Sequence, residues 1–328
     1  MEKKVLYLET GSTDPCYNLA FEEYVLLNRK DTDVLILWQN DNSIIIGVNQ
    51  NTEAEINAPF VAEHGIHVVR RTTGGGAVYH DLGNLNYSFI SDYAGIEASS
   101  LERFTRPIVS ALESLGIHAE ASGRNDILAE GCKVSGTARR IAEGRILYHG
   151  TLLFDSNPEM VAGSLHVDPE KFRSKGVKSV RSRVGNIRAF LKKDMTLPEF
   201  WAYLKTFLAG ETEASSLTEE ELREVNALAD SKYRTREWNY GKDKGLALQA
   251  KKRVPGGSVE VLLRTEGGII GDIAFRGDYL SMRPEEDIAR VLRNCPYDPQ
   301  EVSLRLLAVD LREYFGSITL PELLEVIF

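Results

Sequence analysis

The sequence predicts an α+β fold: a mixed, mostly antiparallel sheet with flanking helices, followed by a small α+β unit. Three observations predict it. Strand-like apolar runs with glycine turns follow one another at Asp126–Glu130, Lys133–Ile141 and Ile146–Phe154. Helix-start signatures precede separate stretches of helical periodicity. The composition shifts at Gly241-Lys242-Asp243-Lys244-Gly245 and again at Lys251–Gly257, which divides the chain into residues 1–248 and 249–328.

In order, Val5–Leu8 reads as a strand. Asp14-Pro15 opens a helix, because the aspartate accepts from free amides and proline suits the first turn; Leu19, Ala20, Tyr24 and Leu27 keep helical spacing to Lys30. Asp33–Gln39 and Ser43–Val48 read as buried strands joined by the turn Asn40-Asp41-Asn42. A short helix near Pro59–His64 leads into a strand at Ile66–Arg71. Ala77–His80 and Leu85–Ile90 form two strands about a hairpin-type connection at Asp81–Asn84. A helix lies within Leu101–Leu115, which Pro107 must start late or kink. Within the glycine-turned strands, alternation places Lys133, Ser135, Thr137 and Arg139 on one face, and Leu147, His149, Thr151 and Leu153 on one face. Capping-box patterns at Thr196–Glu199 and Thr218–Glu221 start two further helices. Beyond the boundary, Ser258–Arg264 and Ile269–Phe275 make a hairpin, and helical patterns occupy Glu285–Asn294, Pro299–Tyr314 and Leu320–Val326.

Composition bounds the function. With 328 residues, 43% of them hydrophobic and 27% charged, the chain is an ordinary globular one. No apolar run approaches the ~20 residues that span a bilayer, and no signal-peptide stretch precedes the first strand, so no membrane partner is expected. Three cysteines, far apart and without metal-ligand spacing, point to a reducing cytoplasm. A net charge of −9 argues against a general nucleic-acid binder. Against that balance, Lys171–Lys193 carries nine Lys/Arg residues and no acid, a candidate anion-binding face or a solvated loop.

Arg70-Arg71-Thr72-Thr73-Gly74-Gly75-Gly76 joins two fixed cations to three glycines, which let a backbone approach a ligand and turn N–H groups towards an anion. The spacing is neither that of a Walker loop nor that of a dinucleotide fingerprint. A lysine on a sheet face opposite such a loop, Lys133, suits the joining of a carboxylate to a nucleotide phosphate, since a compact cation offsets the repulsion of two anions. Asn125 and Asp126 carry oxygens of the kind Mg²⁺ prefers. Each residue also has a plainer reading: Lys133 as a solvated strand lysine, His149 as a structural histidine, Cys132 as a small filler, Asp126 as a turn cap.

Together, Arg70–Asn84, Gly123-Arg124-Asn125-Asp126, Lys133-Val134-Ser135-Gly136 and His149-Gly150-Thr151-Leu152-Leu153 resemble the lipoate–protein ligase A family, as do Asp14–Glu23 and Lys175–Val184. The likeness runs over nearly the whole chain, including a C-terminal accessory domain. It implies the fold of biotin ligases and class II aminoacyl-tRNA synthetases. It also implies a two-step reaction: lipoate and MgATP give lipoyl-AMP, and a lysine of an acceptor lipoyl domain then takes the lipoyl group. The acceptors implied are E2 subunits of 2-oxoacid dehydrogenases or the glycine-cleavage H protein. By motif position, Lys133 contacts both the lipoyl carboxyl group and the phosphate. Arg71, Gly76, Ala77, Val78 and Tyr79 hold ATP. Arg70, Gly75, His149, Trp38 and Ala138 border the lipoyl group, and Asn125 and Asp126 are the Mg²⁺ candidates. The basic segment becomes a cover over the adenylate. Thr72-Thr73 stands where the family often has serine. Cys132 beside the lysine keeps open an octanoyl- or lipoyltransferase with a thiol nucleophile, and a lipoate-binding regulatory member without ligase activity is a further alternative.

Overall fold

The computed structural model describes residues 5–97, 100–166, 184–241 and 246–328. Of the basic segment, Lys171, Arg173, Lys175, Lys178, Arg181 and Arg183 lie outside the described residues, so that part of the expected cover does too, while Arg188 pairs with Asp155 and Asp194. None of the described helices is long and apolar enough to cross a membrane.

The strands are β1 (Leu6–Glu9), β2 (Val34–Trp38), β3 (Ser43–Ile46), β4 (His67–Arg70), β5 (Val78–His80), β6 (Asn84–Asp92), β7 (Ala119–Ser122), β8 (Asp126–Ala129), β9 (Cys132–Ala142), β10 (Arg145–Leu153), β11 (Ala247–Val254), β12 (Gly257–Glu266) and β13 (Ile269–Gly277). A seven-stranded sheet has the order β1-β2-β6-β10-β9-β8-β7, and only the β1–β2 pair in it is parallel. A small sheet, β4-β3-β5, lies over one of its faces, and the C-terminal sheet is β11-β12-β13.

One expected connection differs. The turn after β5 does not make a hairpin, and the turn that joins β2 to β3 does not pair them either: β3 pairs with β4 and β5, whereas β2 and β6 pair with each other in the large sheet. Both turns carry the chain between layers, which leaves room for a cavity between them. Pro107 neither delays nor ends its helix, which runs over Leu101–Ser114 from a Ser100 cap. The Lys251–Gly257 stretch, read as a boundary, is mostly strand β11. The single helix expected over Pro299–Tyr314 is two, Pro299–Leu306 and Leu311–Phe315, because Asp310 accepts from Arg312 N and starts the second afresh. The capping boxes at Thr196 and Thr218 form, as does a third at Thr319.

Each face of the large sheet has its own core. Helices Leu101–Ser114 and Leu197–Ala209 cover one face over Tyr87, Ile127, Val134 and Tyr148, all buried. Helix Pro15–Asn28 covers the other, with Ile36, Trp38 and Leu147 beneath it. The residues from Val254 to Ile327 form a separate core around Val261, Phe275, Leu292 and Phe315. That unit docks on the first: Ile141 N donates to Met282 O at 2.8 Å, and Met282 is buried among the side chains under Leu101–Ser114.

Candidate active site

Between the large sheet and the small one lies a cavity of about 140 Å³. Its floor is the face of the large sheet that carries Trp38, Ala138, His149 and Thr151; the loop Gly76-Ala77-Val78 and Arg71 form its roof.

Lys133 reaches this floor through a bulge. Simple alternation from Ala138 and Gly136 would put Val134 in the cavity and Lys133 in the opposite core. The β8–β9 register instead slips by one residue: Ile127 faces Ser135, but Leu128 faces Lys133. Val134 and Ser135 are both fully buried, with Val134 in the opposite core, and Lys133 takes the face of Gly136 and Ala138. The expected grouping of Lys133 with Ser135, Thr137 and Arg139 is therefore corrected by one extra residue. The ammonium lies over Gly136, 3.4 Å from where a Cβ there would sit, and 2.6 Å from Asp126 Oδ1. Val184 bridges to Lys133, with Gly185 N donating to Lys133 O at 3.0 Å, so the chain leaving the basic segment borders the site.

One wall is a closed network. Trp38 Nε1 donates to Ser88 Oγ at 2.8 Å, and the Ser88 hydroxyl donates to Glu22 at 2.5 Å. Glu22, only 2% exposed, takes His149 Nδ1 at 2.9 Å; His149 Nε2 lies 2.8 Å from Thr73 Oγ1, which accepts from Arg71 Nε at 2.9 Å. The remaining Arg71 contacts are the carbonyls of Ile45, Gly74 and Gly76, so this guanidinium shapes the glycine loop from inside. Burial pulls its pKa down to about 10, which leaves it charged at neutral pH.

The two arginines part company. Arg70 is fully buried away from the cavity and donates to the carbonyls of Gly47, Val48, Gln50, Trp238 and Asn239 and to Thr52 Oγ1. It joins the loop after β3 to the helix Arg236–Tyr240. The loop's amides are also partly committed. A side chain on Gly74 would sit 2.5 Å from Ser281 N, and Gly75, at φ +93°, donates its N–H to Tyr279 O at 3.0 Å. The first two glycines thus admit the C-terminal unit's backbone.

Of the residues expected at a site, Trp38, Arg71, Gly76, Ala77, Val78, Asn125, Lys133, Ala138 and His149 line one cavity. Arg70, Gly75, Tyr79 and Asp126 do not, although Asp126 touches Lys133 and the Tyr79 backbone pairs with Ile44. Among the described residues, no group of three or more His, Cys, Asp or Glu is placed to hold a metal. The unanticipated lining residues include Leu19, His80, Asn86 and Thr151. A signal existed for one of them: Asn84, Asn86 and Ser88 alternate along an otherwise apolar strand, which marks one face as polar.

Residues 14–209 match the family model for the lipoyl protein ligase A/B catalytic domain, and residues 245–327 match that for the bacterial lipoate protein ligase C-terminus. The chain is 41% identical to the lipoate-protein ligase LplJ of Bacillus subtilis over 321 residues, covering 96% of this chain and 97% of that protein. Its fold is similar to that of P. falciparum LipL1 in complex with lipoate (TM-score 0.75, 25% identity, 93% of this chain and 95% of that one). It is also similar to a lipoate-protein ligase A bound with ATP (TM-score 0.62, 31% identity, 74% of this chain and 99% of that one).

Proposed function

The chain belongs to the lipoyl protein ligase A/B family, and from that premise we propose that it is an ATP-dependent lipoate–protein ligase working through lipoyl-AMP. The observation that carries the reading is the placement of the Lys133 ammonium on the cavity floor, opposite the glycine-loop roof. The lipoyl tail is apolar and fits between Leu19, Trp38 and Ala138, while its carboxylate meets the lysine.

In the first step a carboxylate oxygen attacks the α-phosphorus of ATP and pyrophosphate leaves. Lys133 sits between the two anions, lowering their repulsion and stabilising charge on the transferring phosphorus. Arg71 acts indirectly, by holding the Gly74 and Gly76 carbonyls so that the roof keeps its shape for the nucleotide. Magnesium enters as MgATP, with most of its ligands supplied by phosphate and water. Asp126 contributes at most one carboxylate, already paired with Lys133 at 2.6 Å, with Asn125 beside it. In the second step an acceptor lysine attacks the acyl carbon, the amide forms, and AMP departs with the amine's proton. The acceptors we propose are lipoyl domains of 2-oxoacid dehydrogenase E2 subunits or the glycine-cleavage H protein, in the cytoplasm. We assign residues 1–248 to lipoate and ATP and 249–328 to an accessory domain whose Tyr279–Ser281 segment braces the glycine loop.

Incubation of the protein with lipoate, MgATP and an acceptor domain is expected to release pyrophosphate and add one lipoyl mass to the acceptor. Absence of both products rejects the reading. Cys132 is outside the cavity lining, and Cys132→Ala is expected to keep activity within about twofold of the unsubstituted protein. Loss of transfer in that variant would instead favour the thiol route.

A further inference from the structure

The closed wall leaves His149 and Arg71 with their polar atoms engaged inside the protein. Two other lining side chains are finished differently. His80 and Asn86 are 3% and 2% exposed, and His80 Nε2 and Asn86 Nδ2 are buried without a hydrogen-bond partner. Two unsatisfied buried groups in one cavity are costly unless a ligand or water meets them.

Both groups are donors, and for His80 the hydrogen-bond chain decides it. Asn18 Nδ2 donates to the carbonyls of Ser12 and Gln39, at 3.0 and 2.8 Å, which orients its amide. The same nitrogen lies 2.9 Å from Asn40 Oδ1, so Asn40 must turn Nδ2 to His80 Nδ1, at 3.1 Å. Nδ1 accepts, and the imidazole proton resides on Nε2. With Asn86 Oδ1 accepting from Asn84 Nδ2 at 3.0 Å, its own amide N–H groups are left over, as is Asn84 Oδ1, and the donor role of Asn86 follows from that orientation of the amide pair. Asn86 stands opposite Thr151, and Thr151 Oγ1 takes Gly136 N at 3.1 Å, so Asn86 and Gly136 are two strand spacings apart, about 10 Å. Lys133 Nζ lies over Gly136. A carboxylate hydrogen-bonded at both ends spans about 8 Å, so side chains rising from two backbones about 10 Å apart can lean in to share one.

We infer that His80 and Asn86 form a fixed neutral donor pair that holds the acyl oxygen facing Lys133 across the cavity. The inference rests on the ligase reading and adds two substrate-contacting residues to it, with Asn40 and Asn18 as positioning residues. The pair grips the oxygen that does not attack phosphorus. That oxygen becomes the carbonyl of the adenylate and gains negative charge when the acceptor amine adds to carbon. A neutral imidazole suits the task, because it donates without a full charge that would compete with Lys133 for the phosphate.

The test compares binding of octanoate and 1-octanol, which share a tail and differ in the carboxylate, by the wild-type protein and by His80→Leu, His80→Gln and Asn86→Leu. His80→Leu and Asn86→Leu are each expected to weaken octanoate about tenfold or more and leave octanol unchanged, while His80→Gln, which keeps an N–H near Nε2, recovers most of the loss. Unchanged octanoate affinity would mean that the pair holds only water, and equal losses for both ligands would mean a reshaped slot; either overturns the inference. Should the leucine variants not fold, the His80 Nε2–H resonance of the wild-type protein decides: it shifts with octanoate and not with octanol, and an unmoved signal overturns the assignment. Because binding is read without ATP or acceptor, a failed ligase assay and a failed donor pair are separate results.

Discussion

Two sets of cavity-lining side chains, the Glu22 network and the set of Lys133, His80 and Asn86, are put to opposite ends. In the first, Trp38, Ser88, Glu22, His149, Thr73 and Arg71 satisfy one another. In the second, Lys133 keeps about a third of its side chain exposed, and His80 and Asn86 retain unused donors. A saturated polar network is architecture: it fixes shape and has little left to give a substrate. Leftover donors on a rigid frame can be spent on a ligand. The comparison extends to neighbours in sequence, for Arg70 belongs wholly to architecture and Arg71 to the frame of the glycine loop.

The largest expected effect is at Lys133. Lys133→Ala should reduce lipoate-dependent pyrophosphate release about a thousandfold. Its unfolding midpoint should barely move, because a partly exposed ion pair with Asp126 contributes about 1 kcal/mol or less. A variant that still forms adenylate at the wild-type rate would remove the lysine from the mechanism.

Arg70 should behave the opposite way. Arg70→Met removes a donor from five carbonyls and a hydroxyl, of which the Gly47 carbonyl, with Gln50 N, and the Thr52–Asn239 pair keep another partner among the described residues, and should cost about 3 kcal/mol or more in urea unfolding. Lipoate affinity of the folded fraction should change little. A stable Arg70→Met protein that had lost lipoate binding would erase the distinction between frame and site.

The smallest effect is a pH slope. Burial, then the nearby Arg71 and His149, push the His80 pKa from 6.5 down to about 3. Between those values the unfolded chain takes up a proton that the folded chain refuses, so stability falls as pH drops below 6.5. The slope approaches about 1.4 kcal/mol per pH unit. His80→Gln should flatten the urea-unfolding profile between pH 6.5 and 4.5, above the range where Glu23 takes up its proton. That carboxylate opposes its burial with Lys232 and Arg140, which hold its pKa down. An unaltered slope would show that His80 titrates freely and is not locked in the Asn18–Asn40 chain.

Much of this was legible in the residues. Asp14-Pro15, the two capping boxes and the glycine turns of β8–β10 act within a few residues, and local chemistry decides them whatever surrounds them. The glycine triplet beside two arginines, with Lys133 and His149 further on, marked the site by residue type. Residue type did not say which arginine would face the cavity, because that depends on carbonyls contributed by Trp238 and Asn239, some 168 positions away. Nor did it show that Gly75 would spend its amide on Tyr279, a contact made only when the C-terminal unit docks.

The sequence by itself determined the inventory: strands with a period of two, helices with their caps, a compact cation after a glycine turn, and polar residues alternating along β6. Tertiary structure decided which side each of them faces. One unpaired residue between Lys133 and Ser135 reverses the parity of the strand and carries the ammonium from a core into the cavity. Alternation is local and readable only until such a slip, and the slip exists because β8 pairs with β9 in that register.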